Sequence, residues 1–256
     1  MKRSDRDMEE ELYIRSLTID KSVISGSSYL WDIPAIETLD ELEFRKRVTF
    51  FVGENGSGKS TLLEAVAVAY GFNPEGGSIN YRFSTYDSHS ELYSAVRLSK
   101  SFYRPRYGYF LRAESFYNVA TMDEEYGKLP NGVSHDLHKM SHGESFLAVA
   151  QENFSSDGIY FLDEPEAALS PQRQMSLMIT IAKAAALGAQ FIIVSHSPMI
   201  LALPDADIIS FDNGRLHRCT YDETESCRIT KMFVNDRERI LRRLFEEDDS
   251  QNGDDV

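Results

Sequence analysis

Short runs of β-branched and aromatic residues alternate along the chain with longer segments in which apolar residues recur at helical spacing. Two of the short runs, Val48–Val52 and Phe191–Val194, are almost wholly apolar, which is typical of strands covered on both faces of a parallel sheet. Further strands are predicted at Leu12–Ile19, Tyr93–Leu98, Tyr109–Ala113, Ile159–Leu162, Ile208–Phe211 and Leu216–Thr220. Helices are predicted at Lys59–Ala69, Glu144–Asn153, Pro171–Ala186 and about Asp236–Phe245. The alternation indicates an α/β protein.

The composition is that of an ordinary globular protein, with 42% hydrophobic and 27% charged residues among 256 positions. Fibrous and fully disordered classes are therefore excluded. Two cysteines cannot form a disulfide framework, which favours a reducing compartment. Because no apolar run approaches the ~20 residues that span a bilayer, we expect a cytoplasmic protein without membrane insertion.

The charge is strongly acidic and unevenly distributed. The chain has 27 basic and 41 acidic residues, a formal net charge of −14, which disfavours binding to a nucleic-acid backbone. Both ends of the chain are highly charged, so we predict a charged segment over 1–11 and an acidic disordered tail over 246–256. The residues between them, 12–245, are predicted to form one domain. The basic and aromatic segment Lys100–Arg112 has two interpretations: a single-stranded nucleic-acid site, or a solvated loop whose aromatics are packed inside.

A glycine-rich segment lies directly between the strand Val48–Val52 and the predicted helix that starts at Lys59. It matches G-x-x-x-x-G-K-[ST] and reads Gly53, Glu54, Asn55, Gly56, Ser57, Gly58, Lys59, Ser60, Thr61. Glycines let backbone N–H groups turn inward around an anion, and the helix N-terminus adds partial positive charge. Lys59 would reach the β- and γ-phosphates, and the Ser60 hydroxyl would ligate Mg²⁺. The alternative is a turn that binds nothing, but the flanking strand and helix favour a nucleoside triphosphate site.

Two adjacent carboxylates follow the predicted strand Ile159–Leu162. Asp163 is placed to hold Mg²⁺ and Glu164 to polarise an attacking water as general base, whereas the alternative for the pair is a helix N-cap. The upstream phosphate loop favours the catalytic interpretation. His196 follows the strand Phe191–Val194, where its ring can hydrogen-bond a γ-phosphate or the attacking water; the alternative is a loop histidine without a catalytic role.

The order and spacing of these motifs resemble the ABC-type ATPase head, the nucleotide-binding fold of transporter cassettes, SMC proteins and their break-repair relatives. His196 falls on the switch histidine of that head, and Asp163–Pro165 is similar to its extended Walker B motif. Ser141, His142, Gly143 and Glu144 match the ABC signature, which acts in trans in that head. Ala168, Leu169 and Ser170 match its D-loop. More narrowly, the chain resembles a family of small stand-alone bacterial ATPases, in segments such as Phe51–Asn55, Leu111–Phe116 and Ala167–Arg173.

The resemblance implies a P-loop NTPase head with a mostly parallel central sheet, an antiparallel β subdomain and a small helical subdomain at about 114–155. It implies ATP and Mg²⁺ as cofactors and hydrolysis of ATP. Two positions depart from the family pattern. Glu114 stands at the Q-loop position, where a glutamine is usual, and would be a Mg²⁺ ligand; the signature has His142 and Glu144 in place of glycine and glutamine.

The resemblance also implies a homodimer in the ATP state. The signature of one subunit would cap the ATP on the phosphate loop of the other, and the dimer would signal to an unidentified protein partner. Alternatives are a slow regulatory or defence switch, a nucleic-acid-maintenance head and the energising subunit of a transporter. Tyr29 and Trp31 lie near where such cassettes carry the aromatic residue that stacks on adenine, but they are equally consistent with core or edge aromatics.

Overall fold

The structure, a computed structural model, describes residues 12–79, 90–112, 147, 150, 154–167 and 169–249. The strands are β1 (Ile14–Ile19), β2 (Glu41–Glu43), β3 (Val48–Val52), β4 (Gly77–Ser78), β5 (Val96–Lys100), β6 (Tyr107–Leu111), β7 (Gly158–Asp163), β8 (Gln190–Val194), β9 (Asp207–Ser210) and β10 (His217–Arg218). Seven of them form a sheet in the order β10-β9-β3-β8-β7-β6-β4. Its strands from β9 to β6 are parallel and its edge strands are antiparallel, so the expected mostly parallel sheet is confirmed.

The remaining three strands form a separate antiparallel sheet in the order β2-β1-β5. This sheet corresponds to the antiparallel β subdomain that the resemblance implies. The small helical subdomain predicted at about 114–155, with its helix Glu144–Asn153, lies almost wholly outside the described residues.

Helices cover the large sheet and complete the C-terminal part. They are α1 (Pro34–Glu37), α2 (Lys59–Tyr70), α3 (Leu92–Ala95), α4 (Pro171–Ala186), α5 (Pro198–Leu201), α6 (Glu225–Asn235) and α7 (Arg237–Asp249). Within the described part of the chain, no helix is both long enough and apolar enough to cross a bilayer.

The two central strands are buried on both faces, as their unbroken apolar runs predict. Every residue of β3 and β8 is buried. Because side chains alternate along a strand, Phe51 packs into the core that contains Leu62 of α2, whereas Phe50 packs into the core that contains Leu177 of α4. One sheet therefore separates two hydrophobic cores and fixes α2 and α4 on opposite faces.

A buried glutamine joins the two sheets. Gln190, the first residue of β8, is fully buried, and its side-chain amide accepts a hydrogen bond from the Ile14 amide and donates one to the Ile14 carbonyl, both at 2.9 Å. Ile14 is the first residue of β1 and is itself buried. The side-chain amide thus substitutes for a strand neighbour at this point of the small sheet.

The prediction of a single strand over Tyr93–Leu98 is wrong. This segment begins within α3 and enters β5 only at Val96. The Ser90 hydroxyl accepts a hydrogen bond from the Leu92 amide at 3.2 Å, and one helical turn brings Leu92 and Ala95 to the same buried face.

The C-terminal part is more helical than predicted. Helix α6 was not predicted, and α7 continues to Asp249, so the first four residues of the predicted disordered tail 246–256 belong to a helix. Glutamate has a high intrinsic helix propensity, which favours continuation of the helix through Glu246 and Glu247.

We expect Gln190→Leu to lower the free energy of unfolding by about 2–5 kcal/mol, because it leaves the buried N–H and C=O of Ile14 without partners. Urea unfolding followed by circular dichroism measures the change. The matched control is Gln172→Leu, a glutamine on the exposed side of α4, which should be nearly neutral. Equal stability of the two variants would show that Gln190 does not join the sheets.

Candidate functional site

The phosphate-loop segment connects β3 to α2 at the carboxyl edge of the parallel strands. Gly56 and Gly58 adopt left-handed backbone conformations, with φ of +80° and +97°. A Cβ atom on Gly58 would lie 2.7 Å from Cγ2 of Ile33, so this position has neither the conformation nor the space for a side chain. Glu54, Asn55 and Gly56 are exposed, so the outer side of the loop is open.

The Lys59 side chain folds back across this loop. Its Nζ atom donates a hydrogen bond to the Glu54 carbonyl oxygen at 2.6 Å, and the Ser57 hydroxyl oxygen lies 3.4 Å away. Lys59 is only 5% exposed, and this burial lowers the pKa of its ammonium group, while the nearby carboxylates of Glu164, Asp212 and Asp163 act in the opposite direction. The ammonium group is therefore held inside the loop, where phosphate oxygens would bind.

Two oxygen ligands suited to Mg²⁺ meet beside the loop. The Ser60 hydroxyl, in the first turn of α2, donates a hydrogen bond to Asp163 Oδ1 at 2.8 Å. Asp163 ends β7 and pairs in register with Val194 of β8. Hydroxyl and carboxylate oxygens are the hard ligands that Mg²⁺ prefers, so the residues present fit this ion.

The backbone turns sharply directly after Asp163. Glu164 has φ of +48°, in the left-handed region, and its amide donates a hydrogen bond to the Val194 carbonyl at 3.0 Å. A non-glycine residue in this region costs on the order of 1–3 kcal/mol and is typical of functional sites. The turn points the carboxylate toward His196, whose Nε2 atom lies 3.6 Å from Glu164 Oε1. In the described part of the chain this Nε2 atom has no hydrogen-bond partner.

Asp212 holds the entry of the phosphate loop, a role that the sequence analysis missed. The sequence predicts only the flanking strands Ile208–Phe211 and Leu216–Thr220, and the corresponding strands β9 and β10 do pair, in antiparallel orientation. In addition, Asp212 Oδ1 accepts a hydrogen bond from the Glu54 amide at 3.1 Å, and Oδ2 accepts one from the Ser210 hydroxyl at 2.8 Å. The available signal was a carboxylate just after a strand that neighbours β3.

The structure distinguishes between the two candidate aromatic residues. Tyr29 is 53% exposed and lines a cavity of about 520 Å³ together with Lys59, Thr61 and Glu164. Trp31 packs against the hydrophobic core, and its indole N–H donates to the Ser25 carbonyl at 2.8 Å. Only Tyr29 therefore faces the phosphate loop.

The basic and aromatic segment Lys100–Arg112 divides into a structural and an exposed part. Lys100 lies over the Tyr70 ring, 4.6 Å from its centroid, and Arg112 pairs with Glu64 at 3.1 Å. Phe102 is 93% exposed. The interpretation of a loop with all its aromatics packed inside is therefore wrong for Phe102, while two of the basic side chains have partners within the protein.

Of the site residues predicted from the sequence, the structure brings together Lys59, Ser60, Asp163, Glu164 and His196 at one edge of the sheet. Of the predicted D-loop residues, Leu169 is buried and Ser170 precedes α4. The other predicted positions lie outside the described residues: Glu114, Ser141, His142, Gly143, Glu144 and Ala168. Their roles stay predictions.

Comparison with known proteins gives two family matches and two curated relatives. A model of an AAA domain matches residues 35–129, and one described as "AAA domain, putative AbiEii toxin, Type IV TA system" matches residues 136–202. The chain is 23% identical to a xylose import ATP-binding protein of Moorella thermoacetica, over 89% of this chain and 49% of that protein. It is 21% identical to a ribose import ATP-binding protein of Roseobacter denitrificans, over 94% of this chain and 51% of that protein. The chain thus spans about half the length of these relatives.

Among solved structures, the SMC head domain from Thermotoga maritima aligns with 82% of this chain and 99% of its own, at 14% identity and a TM-score of 0.43. The family matches and the curated relatives agree with the phosphate loop, the paired carboxylates and the parallel sheet that the structure brings together. These comparisons support the resemblance of the chain to the ABC-type P-loop ATPases.

Proposed function

We propose that this protein binds ATP with Mg²⁺ and hydrolyses it to ADP and phosphate. The observation that carries the proposal is the convergence of two pairs beside the phosphate loop, Ser60 with Asp163 and Glu164 with His196. The first pair offers oxygen ligands for Mg²⁺, and the second offers a base and a hydrogen-bonding ring at the position of an attacking water.

Each residue then has one part in the reaction. Lys59 and the backbone N–H groups of the loop bind the phosphates, and bound Mg²⁺ would neutralise their developing charge. Glu164 accepts a proton from a water molecule as the water oxygen bonds to the γ-phosphorus. The bond from that phosphorus to the β–γ bridging oxygen breaks, and ADP leaves. His196 hydrogen-bonds the γ-phosphate or the attacking water.

Exposure of the loop supports a second subunit in the ATP state. Glu54, Asn55 and Gly56 are exposed, and the Glu164 and His196 side chains are each 38% exposed, so one side of the site faces solvent. A homodimer in which Ser141, His142, Gly143 and Glu144 of the second copy cover this side would close the site and exclude bulk water. Such a dimer would transmit its nucleotide state to a protein partner.

We expect wild-type protein to release phosphate from ATP in a Mg²⁺-dependent manner, and Glu164→Gln to lower kcat by about 10²–10⁴-fold, since the variant removes the general base. Phosphate release under saturating ATP measures both. The matched control is Glu37→Gln, an exposed carboxylate on α1 that should leave kcat unchanged. Full activity of Glu164→Gln would contradict the assignment of the base.

We further expect ATP with Mg²⁺ to double the mass of the Glu164→Gln protein, because a closed dimer accumulates when hydrolysis is blocked. Light scattering with and without nucleotide measures the mass. The same experiment on Lys59→Ala is the control, since loss of phosphate binding should keep that variant monomeric. A Glu164→Gln protein that binds ATP and stays monomeric would exclude the nucleotide-bridged dimer.

The position of Tyr29 gives a prediction for binding of the adenine ring. If its ring stacks on adenine, Tyr29→Ala weakens ATP binding by about 5–150-fold, the equivalent of about 1–3 kcal/mol for one stacked base. Tyr29→Phe keeps the ring and should bind as wild type, and Trp31→Phe should also have no effect on affinity. Titration calorimetry with ATP measures all three. Unchanged ATP affinity of Tyr29→Ala would show that the adenine ring binds elsewhere.

A further inference from the structure

A third carboxylate, Glu166, lies behind the pair formed by Glu164 and His196. Its Oε1 atom accepts three hydrogen bonds from consecutive residues of the loop after β8: from the Ser195 hydroxyl at 2.9 Å, the His196 amide at 2.6 Å and the Ser197 amide at 3.1 Å. The main chain that carries the histidine is therefore fixed by one oxygen atom of a side chain located two residues beyond the catalytic glutamate.

This arrangement is largely buried. Ser195 is fully buried and Ser197 is 8% exposed. Glu166 Oε2 is buried and has no hydrogen-bond partner in the described part of the chain. Burial raises the pKa of Glu166 above its ordinary value, although the hydrogen bonds from the loop act in the opposite direction. A buried carboxylate is costly, and the three hydrogen bonds from the loop offset part of that cost.

A glutamine extends the contacts to the D-loop. The Ser197 hydroxyl donates to Gln174 Oε1 at 2.6 Å, and Gln174 Nε2 donates to the Leu169 carbonyl at 3.1 Å. The Leu169 amide in turn donates to the Glu166 carbonyl at 2.8 Å, so the hydrogen bonds form a closed ring. We call the set of Glu166, Leu169, Gln174 and residues 195–197 the switch ring.

We propose that Glu166 and Gln174 are positioning residues that hold His196 in line with Glu164 and link the switch histidine to the D-loop through the switch ring. The inference rests on the proposed ATPase function. Neither side chain is assigned a contact with the nucleotide; both act through the main chain of residues 195–197. A displacement of His196 by about 1 Å is enough to lower the rate on the order of 10²-fold.

Steady-state kinetics of the full chain in a double-mutant design tests the proposal. We expect Glu166→Ala to lower kcat by about 10–100-fold with the KM for ATP within about 3-fold of wild type, because Lys59 and the phosphate loop keep their contacts. In a His196→Ala background, Glu166→Ala should lower kcat further by less than about 3-fold, since the residue through which Glu166 acts is already gone. Equal losses in both backgrounds would overturn the proposal in favour of a purely structural role.

Conservative and matched variants sharpen this test. Glu166→Gln keeps an acceptor oxygen for the three donors and should retain more of kcat than Glu166→Ala. Gln174→Ala breaks the switch ring at a different point and should show the same dependence on His196; it carries the comparison if Glu166→Ala does not fold by circular dichroism. Its control is Gln172→Ala, two positions away on α4 with an exposed side chain, which should match wild type.

Hydrogen exchange distinguishes failure of this inference from failure of the proposed function. A wild-type protein without phosphate release would overturn the ATPase proposal. Amide exchange monitored by mass spectrometry still reports on the switch ring: we expect Glu166→Ala to accelerate exchange in the segment 195–201 while β3 stays protected. Unchanged exchange in that segment would overturn the positioning role, whatever the catalytic result.

Discussion

The register of three parallel strands is the constraint on which the site depends. Phe51 of β3 and Asp163 of β7 both pair with Val194 of β8, so the three strands end within one residue of the same level. Each chain segment that leaves this level carries one part of the candidate site: the phosphate loop, the paired carboxylates and His196. A shift of one residue in any strand would reverse its faces and move its functional side chain away from the others.

Buried apolar strands fix that register, and polar side chains fix the loops that leave the strand ends. All residues of β3 and β8 are buried, so no functional group projects from their middle. Functional groups lie beyond the strand ends, where loops would otherwise be free to move. Asp212 holds the entry of the phosphate loop, Glu166 holds the loop after β8, and the Glu164 amide is bound to the Val194 carbonyl. These surrounding hydrogen bonds offset the conformational free energy that the left-handed turn at Glu164 costs.

The sequence predicts those parts whose signal is local. Helix α4 has the predicted bounds Pro171–Ala186, and β3 has the predicted bounds Val48–Val52, because a proline start and a continuous apolar run are both visible within a short window. Long-range polar contacts are not visible in this way. Gln190 and Ile14 lie 176 positions apart, and the Glu54 amide and Asp212 lie 158 apart. Helix α6 was missed for a different reason, because it does not contribute a face to the core. Among its residues only Cys227 is buried, and apolar side chains such as Ile229 and Met232 are about half exposed.

The local charge of the site is negative, so binding of a triphosphate would rely on individual N–H donors and a cation at fixed positions rather than on net charge. Three carboxylates, those of Asp163, Glu164 and Asp212, act on the ammonium group of Lys59, so its immediate surroundings carry more negative than positive charge. The whole chain adds to this with a formal net charge of −14. Simple attraction would therefore not bring a polyanion to the site. Backbone N–H groups held inward by the glycine conformations, together with a divalent cation bound by Ser60 and Asp163, can supply the missing positive potential at short range. Affinity for the nucleotide would then depend on Mg²⁺, which Asp163 is placed to bind, and on the rigidity of the loop, whose entry Asp212 holds.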